Sequence, residues 1–406
     1  MRLRRKKSSD KMNYDYDVIV VGAGPGGAFA AKEAALQGAK VLLVDRRKEI
    51  GAPVRCGEGL GADIEKELGF KVPKDAIDAY INAAELYGPN GKKLELRNET
   101  SKGYVIDRKK FDKFLVEEAA RAGAEVLVKT RIDDLKKEGS KFVGVVGNSM
   151  GEKFEANAKV IIAADGGESL IARKAGINSL ATLAETDFGV EYEMVNVDVK
   201  DAIEIYFSNV FAPRGYAWIF PKGKDSANVG VGVGGLYGNA IIYLKKFLEA
   251  YKERFENAKI VAIKGGIITV TMYIDELVKQ NLMVIGEAAH QVDPIHGGGM
   301  ALAMKAGSIA GRVAGIYATQ NKELSYLQEY KKEWDKKEKK IFEKRLKLRQ
   351  VLEKMSDEDL NAIFNALKDE DLQKVIDGRY DVVVKKLIKI LVNRPNLIKL
   401  IGVLLK

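Results

Sequence analysis

The 406-residue sequence has one cysteine, Cys56, and two histidines, His290 and His296. A single thiol excludes an internal disulfide and a thiolate metal cluster. Two imidazoles are too few for most transition-metal sites, so no metal is expected. A lone free thiol also fits a reducing cytoplasm. Missing too is any uninterrupted apolar run of about 18 residues, close to the length a helix needs to cross a bilayer. The basic start, Met1 to Lys7, runs into polar residues instead of an apolar segment, which argues against a secretory signal.

What is present is globular: 46% apolar and 31% charged residues, with a formal charge of +10. Nucleic acid is not expected as a partner, because the basic residues form no single patch interleaved with aromatics. They gather in the first seven residues, between Lys331 and Lys347, and near the end.

Residues 1–13 read as a disordered basic tail. Then "DVIVVGAG", "GAFAAKEAALQG" and "KVLLVD" give strand, helix and strand, with glycine at both turns. A helix is expected around 109–123. "AEVLVKTRIDDL", "FVGVVG" and "KVIIAADGG" read as strands. Between 180 and 275, alternating segments such as "TDFGVEYEMVNV", "YAWIFPKG" and "ANVGVGVGG" predict an antiparallel sheet. Strand–loop–helix patterning returns at 281–307, and a charged helical region follows from 322.

"GAGPGG" supplies Gly22, Gly24 and Gly27 at G-x-G-x-x-G spacing. Such glycines permit a tight turn, close backbone approach to a pyrophosphate, and close helix–strand packing. The pyrophosphate then lies at the positive end of the helix. Asp45 ends the second strand, where its carboxylate can accept from a ribose diol. Two further strand ends carry an acid beside glycines: "AADGGES", with Asp165, and "GEAAHQVDPIHGGGMALA", with Gly286 and Glu287.

This three-part pattern resembles the FAD-binding domain of p-hydroxybenzoate-hydroxylase-like flavoproteins. Within that superfamily, "EIGAPVRCGEG", "YAWIFPKG" and "GEAAHQVDPIHGGG" resemble the corresponding segments of the geranylgeranyl reductase family, particularly its archaeal lipid-reducing branch. The resemblance implies an α/β fold. Its parts are a discontinuous Rossmann-like FAD-binding domain over 14–178 and 276–321, an antiparallel-sheet substrate domain over 179–275, and a helical region over 322–406. It places Gly26 and Asp45 at the FAD pyrophosphate and ribose, and Cys56, Gly57 and Gly59 along the flavin. Arg108 falls at the adenosine or phosphate side, Ile132 at the adenine through its backbone, and Gly299 and Met300 near the isoalloxazine. The superfamily usually has Gly-Asp where this chain has Gly286-Glu287, so the longer carboxylate is expected on the ribityl or phosphate side.

The implied reaction is reduction of the isolated double bonds of geranylgeranyl chains in archaeal-type ether lipid precursors. The electron donor is left open among ferredoxin, NAD(P)H or another reduced carrier. Such alkenes lack a carbonyl to accept negative charge, so hydride addition needs proton delivery or stabilised positive character, which aromatic faces supply. Tyr216, Trp218 and Phe220 recur every second residue, hence on one face of a strand. They either wall an apolar prenyl channel facing the flavin or form ordinary sheet core. Cys56 is either a proton donor or a small buried hydrophobe. His290 and His296 flank the last loop, His296 nearer the glycines, and either shuttle protons or only hold the loop.

The segment 381–406, with Lys385, Lys386, Lys389 and Lys399 and a break at Pro395, suits amphipathic helices. These either lie on an anionic membrane surface or pack on the protein. The lipid substrate favours the former, giving a cytoplasmic protein associated peripherally with the inner face of the membrane. Two rivals share the scaffold: a flavin-dependent aromatic monooxygenase, and a non-catalytic flavoprotein that stores prenyl lipid.

Overall fold

The computed structural model describes residues 14–98, 102–376 and 381–392. The expected tail over 1–13, and Pro395 and Lys399 of the C-terminal stretch, lie outside them.

The chain opens with β1 (Tyr16–Val21), α1 (Pro25–Leu36) and β2 (Val41–Val44). It continues through β3 (Gly59–Gly61), α2 (Asp63–Leu68), β4 (Ile77–Ile81), β5 (Ala83–Tyr87), β6 (Lys93–Arg97) and β7 (Gly103–Ile106). Helix α3 (Arg108–Arg121) leads to β8 (Glu125–Leu127), β9 (Thr130–Glu138), β10 (Lys141–Ser149), β11 (Glu152–Ala163) and α4 (Leu170–Lys174). Next come β12 (Thr186–Val195), β13 (Ala202–Tyr206), β14 (Tyr216–Pro221), β15 (Ser226–Gly234), α5 (Ala240–Ala250), α6 (Lys252–Phe255) and β16 (Lys259–Thr269). β17 (Val278–Lys279), β18 (Leu282–Val284) and α7 (Met300–Thr319) complete the α/β part. The remaining helices are α8 (Gln328–Trp334), α9 (Lys340–Leu352), α10 (Asp357–Ala366), α11 (Asp369–Ile376) and α12 (Asp381–Val392).

Two sheets organise these elements. The first runs β17-β18-β11-β1-β2-β8, with β10 and β9 continuing from β11. β1 pairs in parallel with β11 and β2, and β11 with β18. Val18–Val20, Leu42–Val44 and Val160–Ala163 are fully buried, as the interior strands of a parallel sheet covered on both faces must be. Helices α1 and α7 lie together against it with almost no gap. A Cβ on Gly307 would stand 2.1 Å from the Gly26 carbonyl oxygen, and one on Gly311 2.2 Å from that of Ala30. The carboxyl ends of β1, β2, β11 and β18 carry Gly22–Gly27, Asp45, Asp165 and Gly286–Glu287. The three sequence motifs therefore meet along one edge.

The second sheet runs β16-β12-β15-β14-β13-β5-β6. Its alternation separates two faces. Ala227, Val229, Val231 and Val233 of β15, with Ala217 and Ile219 of β14, bury against Leu244 and Phe247 of α5. Asn228, Gly230 and Gly232 point the other way. Within the stretch 14–178 expected as FAD-binding, the chain leaves the parallel sheet between β2 and α3. β5 pairs in parallel with β13, and β6 antiparallel with β5, so both join the second sheet. β3, β7 and β4 make a small third sheet. Short alternating strands such as these satisfy either sheet, and only the nonlocal β5–β13 pairing decides.

Helix α12 settles the packing of its own stretch. Val383, Leu387 and Leu391 are buried with Leu348, Val351 and Ile363 of α9 and α10, so its apolar face is covered by protein. Among the described residues, no helix is long and apolar enough to cross a membrane.

Candidate functional site

Whether the motif edge fits FAD can be read from its own packing. A Cβ on Gly22 would meet the Ala164 carbonyl oxygen at 2.3 Å, and one on Gly27 the Gly22 oxygen at 1.8 Å, so both are compulsory for the turn. A Cβ on Gly24 would meet nothing within 4 Å. Space is open where a pyrophosphate would approach. Helices α1 and α7 start on Gly24 and Gly299 with no side-chain cap, leaving first-turn N–H groups, including that of Met300, for an outside acceptor. Asp45 is buried, accepting from Ala23 N at 2.9 Å and Arg47 N at 2.8 Å, with lone pairs left for hydroxyl donors. Ile132 lies two residues past Thr130, whose N–H bonds the Asp45 carbonyl at 2.8 Å, at the same end of the edge. Asp165 Oδ1 is buried without a hydrogen-bond partner. Burial pushes the Asp165 carboxyl up, and Glu287 up to about 7, against the pull of the Thr269 backbone and Arg55. The Glu287 carboxyl packs over Gly167, 3.3 Å from where its Cβ would stand. These are acceptors waiting for hydroxyl donors, and they suit the ribityl and ribose parts of FAD.

The loop before β3 joins the two sheets. Glu58 is buried with φ of 71°, a left-handed conformation that strains a residue bearing a side chain. Four bonds hold it there. Its Oε2 accepts from Lys222 Nζ at 2.6 Å, Lys264 Nζ at 2.8 Å and Asn228 Nδ2 at 2.8 Å, while Oε1 accepts from Arg108 N at 3.1 Å. Burial opposes its charge, yet Lys222 and Lys264 outweigh it and hold the carboxyl at about 2. Cys56 Sγ accepts from Glu58 N at 3.3 Å. Burial pushes the thiol up while Arg108 pulls it down, and the net keeps it a thiol at neutral pH. The Arg108 guanidinium is clamped by Asp112 through two bonds of 2.8 Å.

Strand β14 answers the question that its aromatics raise. Tyr216, Trp218 and Phe220 lie on the face opposite the α5-packed core, with centroid spacings of 5.9 and 6.3 Å. Phe220 covers the loop, 3.4 Å from a Cβ built on Gly57 and 3.2 Å from one on Gly59. Trp218 Nε1 donates to Glu191 Oε2 at 3.1 Å, and Tyr216 Oη donates to the His296 carbonyl at 2.5 Å. Register places Tyr216 beside Gly232, then Gly189, then Gly266 across four strands. Three adjacent positions on this face thus lack side chains and leave a shallow trough running from the tyrosine, into which Ile268 reaches, its Cδ1 3.1 Å from where a Gly189 Cβ would stand.

Of the residues singled out from sequence, Cys56, Gly57, Gly59, Arg108, Tyr216, Trp218, Phe220 and His296 are brought together. His290 is not among them: its Nε2 meets the Ser179 carbonyl at 3.0 Å, and burial pushes its ring pKa down. His296 spends its ring on its own loop, with Nε2 3.2 Å from Asp293 Oδ2 and Nδ1 accepting from Gly298 N at 3.1 Å. Sequence reading missed Glu58, Glu191, Lys222, Asn228 and Lys264. Alternation within β12 and β15 does put Glu191 and Asn228 in the phase opposite the core, but only the fold reveals that they converge.

A parallel sheet whose motif loops fit FAD, facing an antiparallel sheet across a polar seam, defines a flavoprotein oxidoreductase of the p-hydroxybenzoate-hydroxylase type. Residues 17–202 match the sequence model of the FAD dependent oxidoreductases, and residues 185–268 that of the geranylgeranyl reductase catalytic domain. The chain is 41% identical to a digeranylgeranylglycerophospholipid reductase of Methanocaldococcus jannaschii, covering 96% of this chain and 98% of the relative. It is 38% identical to one of Methanocella arvoryzae, covering 97% and 100%. A crystal structure of a geranylgeranyl bacteriochlorophyll reductase-like protein from Thermoplasma acidophilum superposes with a TM-score of 0.86, at 34% identity over 92% of this chain and 99% of that one. A flavin-dependent brominase, 19% identical with a TM-score of 0.74 over 92% and 94%, shares the fold alone. The chain belongs to the geranylgeranyl reductase family and is an FAD-dependent reductase.

Proposed function

We propose that this reductase saturates carbon–carbon double bonds in the geranylgeranyl chains of archaeal-type ether lipid precursors, as the names of its relatives suggest. The observation that carries this reading is the trough over Gly232, Gly189 and Gly266, headed by Tyr216 and flanked by Trp218. A prenyl chain is long, narrow and apolar, and a floor of glycine beside aromatic rings suits it. The enzyme class also decides against the hydroxylase and storage readings.

When bound, reduced FAD supplies the hydride. The chain's own residues do the rest. Gly22, Gly24, Gly26 and Gly27 with Asp45, Asp165, Gly286 and Glu287 would hold the pyrophosphate, ribose and ribityl groups. Ile132 would serve the adenosine side, while Arg108 stands beside Cys56 instead, and Gly299 and Met300 would serve the ring. Tyr216, anchored on the His296 carbonyl, orients the trough, and Trp218 and Phe220 exclude water from it. One alkene carbon would take that hydride and the other a proton, which this chain has to deliver. The Cys56 thiol is the proton source, and the thiolate it leaves is stabilised by the Glu58 N–H and by Arg108 before solvent returns the proton.

The domains divide as FAD-binding, antiparallel-sheet and C-terminal helical, with β5 and β6 assigned to the antiparallel sheet. A lipid substrate demands contact with an anionic membrane surface on the cytoplasmic side. Edge strand β16 supports this by exposing Val261, Ile263 and Ile267, a row that α5 does not cover. The electron donor stays open among ferredoxin, NAD(P)H and other reduced carriers.

Anaerobic incubation of dithionite-reduced protein with digeranylgeranylglycerophospholipid tests the reading by mass spectrometry. Products heavier by pairs of hydrogens support it. Unchanged lipid from fully FAD-loaded protein refutes it.

A further inference from the structure

Glu191 is a buried titratable group whose hydrogen bonding this fold leaves incomplete. It sits on β12 with 2% of its surface exposed, and its Oε1 has no hydrogen-bond partner. Register sets Trp218, Gly230, Glu191 and Lys264 in one row across β14, β15, β12 and β16. Gly230 is required for that row: a Cβ there would stand 2.4 Å from Trp218 Cζ2 and 2.7 Å from Glu191 Cβ. A side chain at 230 would push the ring off the carboxyl.

A buried ion pair that merely ties the sheets together is the plainer account. Glu58 already fills that part. Lys264 bonds Glu58 at 2.8 Å, Asn228 at 3.0 Å and Glu193 at 2.8 Å, and stands 3.5 Å from Glu191 Oε1. Among the described residues, the hydrogen bond of Glu191's side chain goes to the indole alone. The charged and titratable groups facing it are Lys264 from β16, and Glu58 and Cys56 from the loop before β3. Lys222, after β14, acts on it through Glu58. Its Oε2 lies 3.6 Å from where a Gly57 Cβ would stand, so the carboxyl sits directly behind the flavin-side loop.

We propose that Glu191 is a positioning residue for the reduction: it fixes the edge of the Trp218 indole and, by its own charge, sets how well that ring accommodates positive character at the reacting carbon. The second half rests on the prenyl-reduction reading; the first does not. As a carboxylate, Glu191 polarises the N–H and enriches the ring, whose face then attracts positive charge more strongly. As a neutral acid it does so less. Burial, opposed by Lys264, raises this carboxyl to about 7, so both forms are populated near neutrality.

The test needs a readout independent of turnover. Labelling tryptophan with nitrogen-15 gives two indole N–H signals, from Trp218 and Trp334, separable with Trp334→Phe. Between about pH 5.5 and 8.5 the Trp218 signal should shift with one midpoint near neutrality and stay still in Glu191→Gln. Lys264→Met, which removes the nearest cation, should move the midpoint upward. Turnover of wild type should rise across the same range, and that of Glu191→Gln should be pH-independent and about tenfold lower than wild type above the midpoint. A Trp218 signal that does not titrate, or titrates equally in Glu191→Gln, overturns the proposal, as does a variant with unchanged turnover and pH profile. Should Glu191→Gln not fold, the Lys264→Met midpoint decides. A wild-type enzyme inactive on every geranylgeranyl lipid, yet with the indole titration intact, would sink the substrate reading and leave the Glu191–Trp218 link standing.

Discussion

Trp218 carries two duties that substitution can separate. Its ring walls the trough, while its N–H partners a buried carboxyl. Trp218→Ala removes both and should reduce turnover by about a hundredfold, with FAD content, read from the flavin absorbance, little changed. Trp218→Phe keeps most of the ring but strands Glu191, and should lower stability by about 1–3 kcal/mol in denaturant titration. Equal loss of FAD and turnover in the alanine variant would return Trp218 to the sheet core. Cys56 divides similarly: Cys56→Ser retains a donor and Cys56→Ala does not. Serine activity well above alanine activity is expected, and equal rates would remove the thiol from proton transfer. The sequence was readable here wherever backbone geometry dictates the residue, as at Gly22, Gly27 and Asp45, because those needs are local. It was silent on Glu191 and Lys264, two ordinary charged residues until the β12–β16 register sets them side by side.

The β1–α1–β2 unit was legible for the same reason: period and punctuation agree over a short stretch. The α1–α7 contact was not, although its residues stand in plain view. Gly307, Gly311 and Gly315 recur every four positions along one face of α7, and that face lies on the α1 backbone. A Cβ on Gly307 would stand 2.1 Å from the Gly26 oxygen, and no rotamer relieves a clash with main chain. Gly307→Ala should therefore force the helices apart and cost about 1–3 kcal/mol, read as a lower thermal midpoint. Because Gly26 belongs to the phosphate turn, FAD should also be lost more readily on dilution. Gly38→Ala, where a Cβ would meet nothing but φ is 81°, should strain the backbone and leave FAD affinity unchanged. Helix α12 shows the opposite kind of ambiguity. Its apolar stripe was equally suited to a bilayer surface, and only the presence of Leu348 and Val351 opposite it decided.

Taken as one body, the protein is two sheets closed on a polar seam, and two strongly displaced carboxyls there, Glu58 and Glu191, pull stability in opposite directions with pH. Glu58 is held at about 2 against an ordinary 4.5, so the native state binds its proton less tightly than the unfolded chain does. Its contribution is complete above pH 4.5 and disappears as pH falls through about 2, worth roughly 3 kcal/mol. Glu191 is raised from 4.5 to about 7, so the native state holds that proton more tightly. Its contribution is complete below pH 4.5 and is lost as pH rises through 7, at a similar magnitude of roughly 3 kcal/mol. The two together favour a maximum near pH 4.5; Glu85, also held at about 2, adds to the acid limb, and Glu287, also raised to about 7, to the upper one. Denaturant titrations at fixed pH should show Glu58→Gln making the acid limb shallower. That variant should also be about 3–5 kcal/mol less stable at neutral pH, because Lys222 and Lys264 lose their shared anion. Glu191→Gln should make the upper limb shallower instead. Because Lys264 faces both carboxyls, the double variant should deviate from the sum of the singles. Strict additivity would mean that the seam is two separate sites, and an acid limb undiminished by Glu58→Gln would mean that the sheets are held together elsewhere.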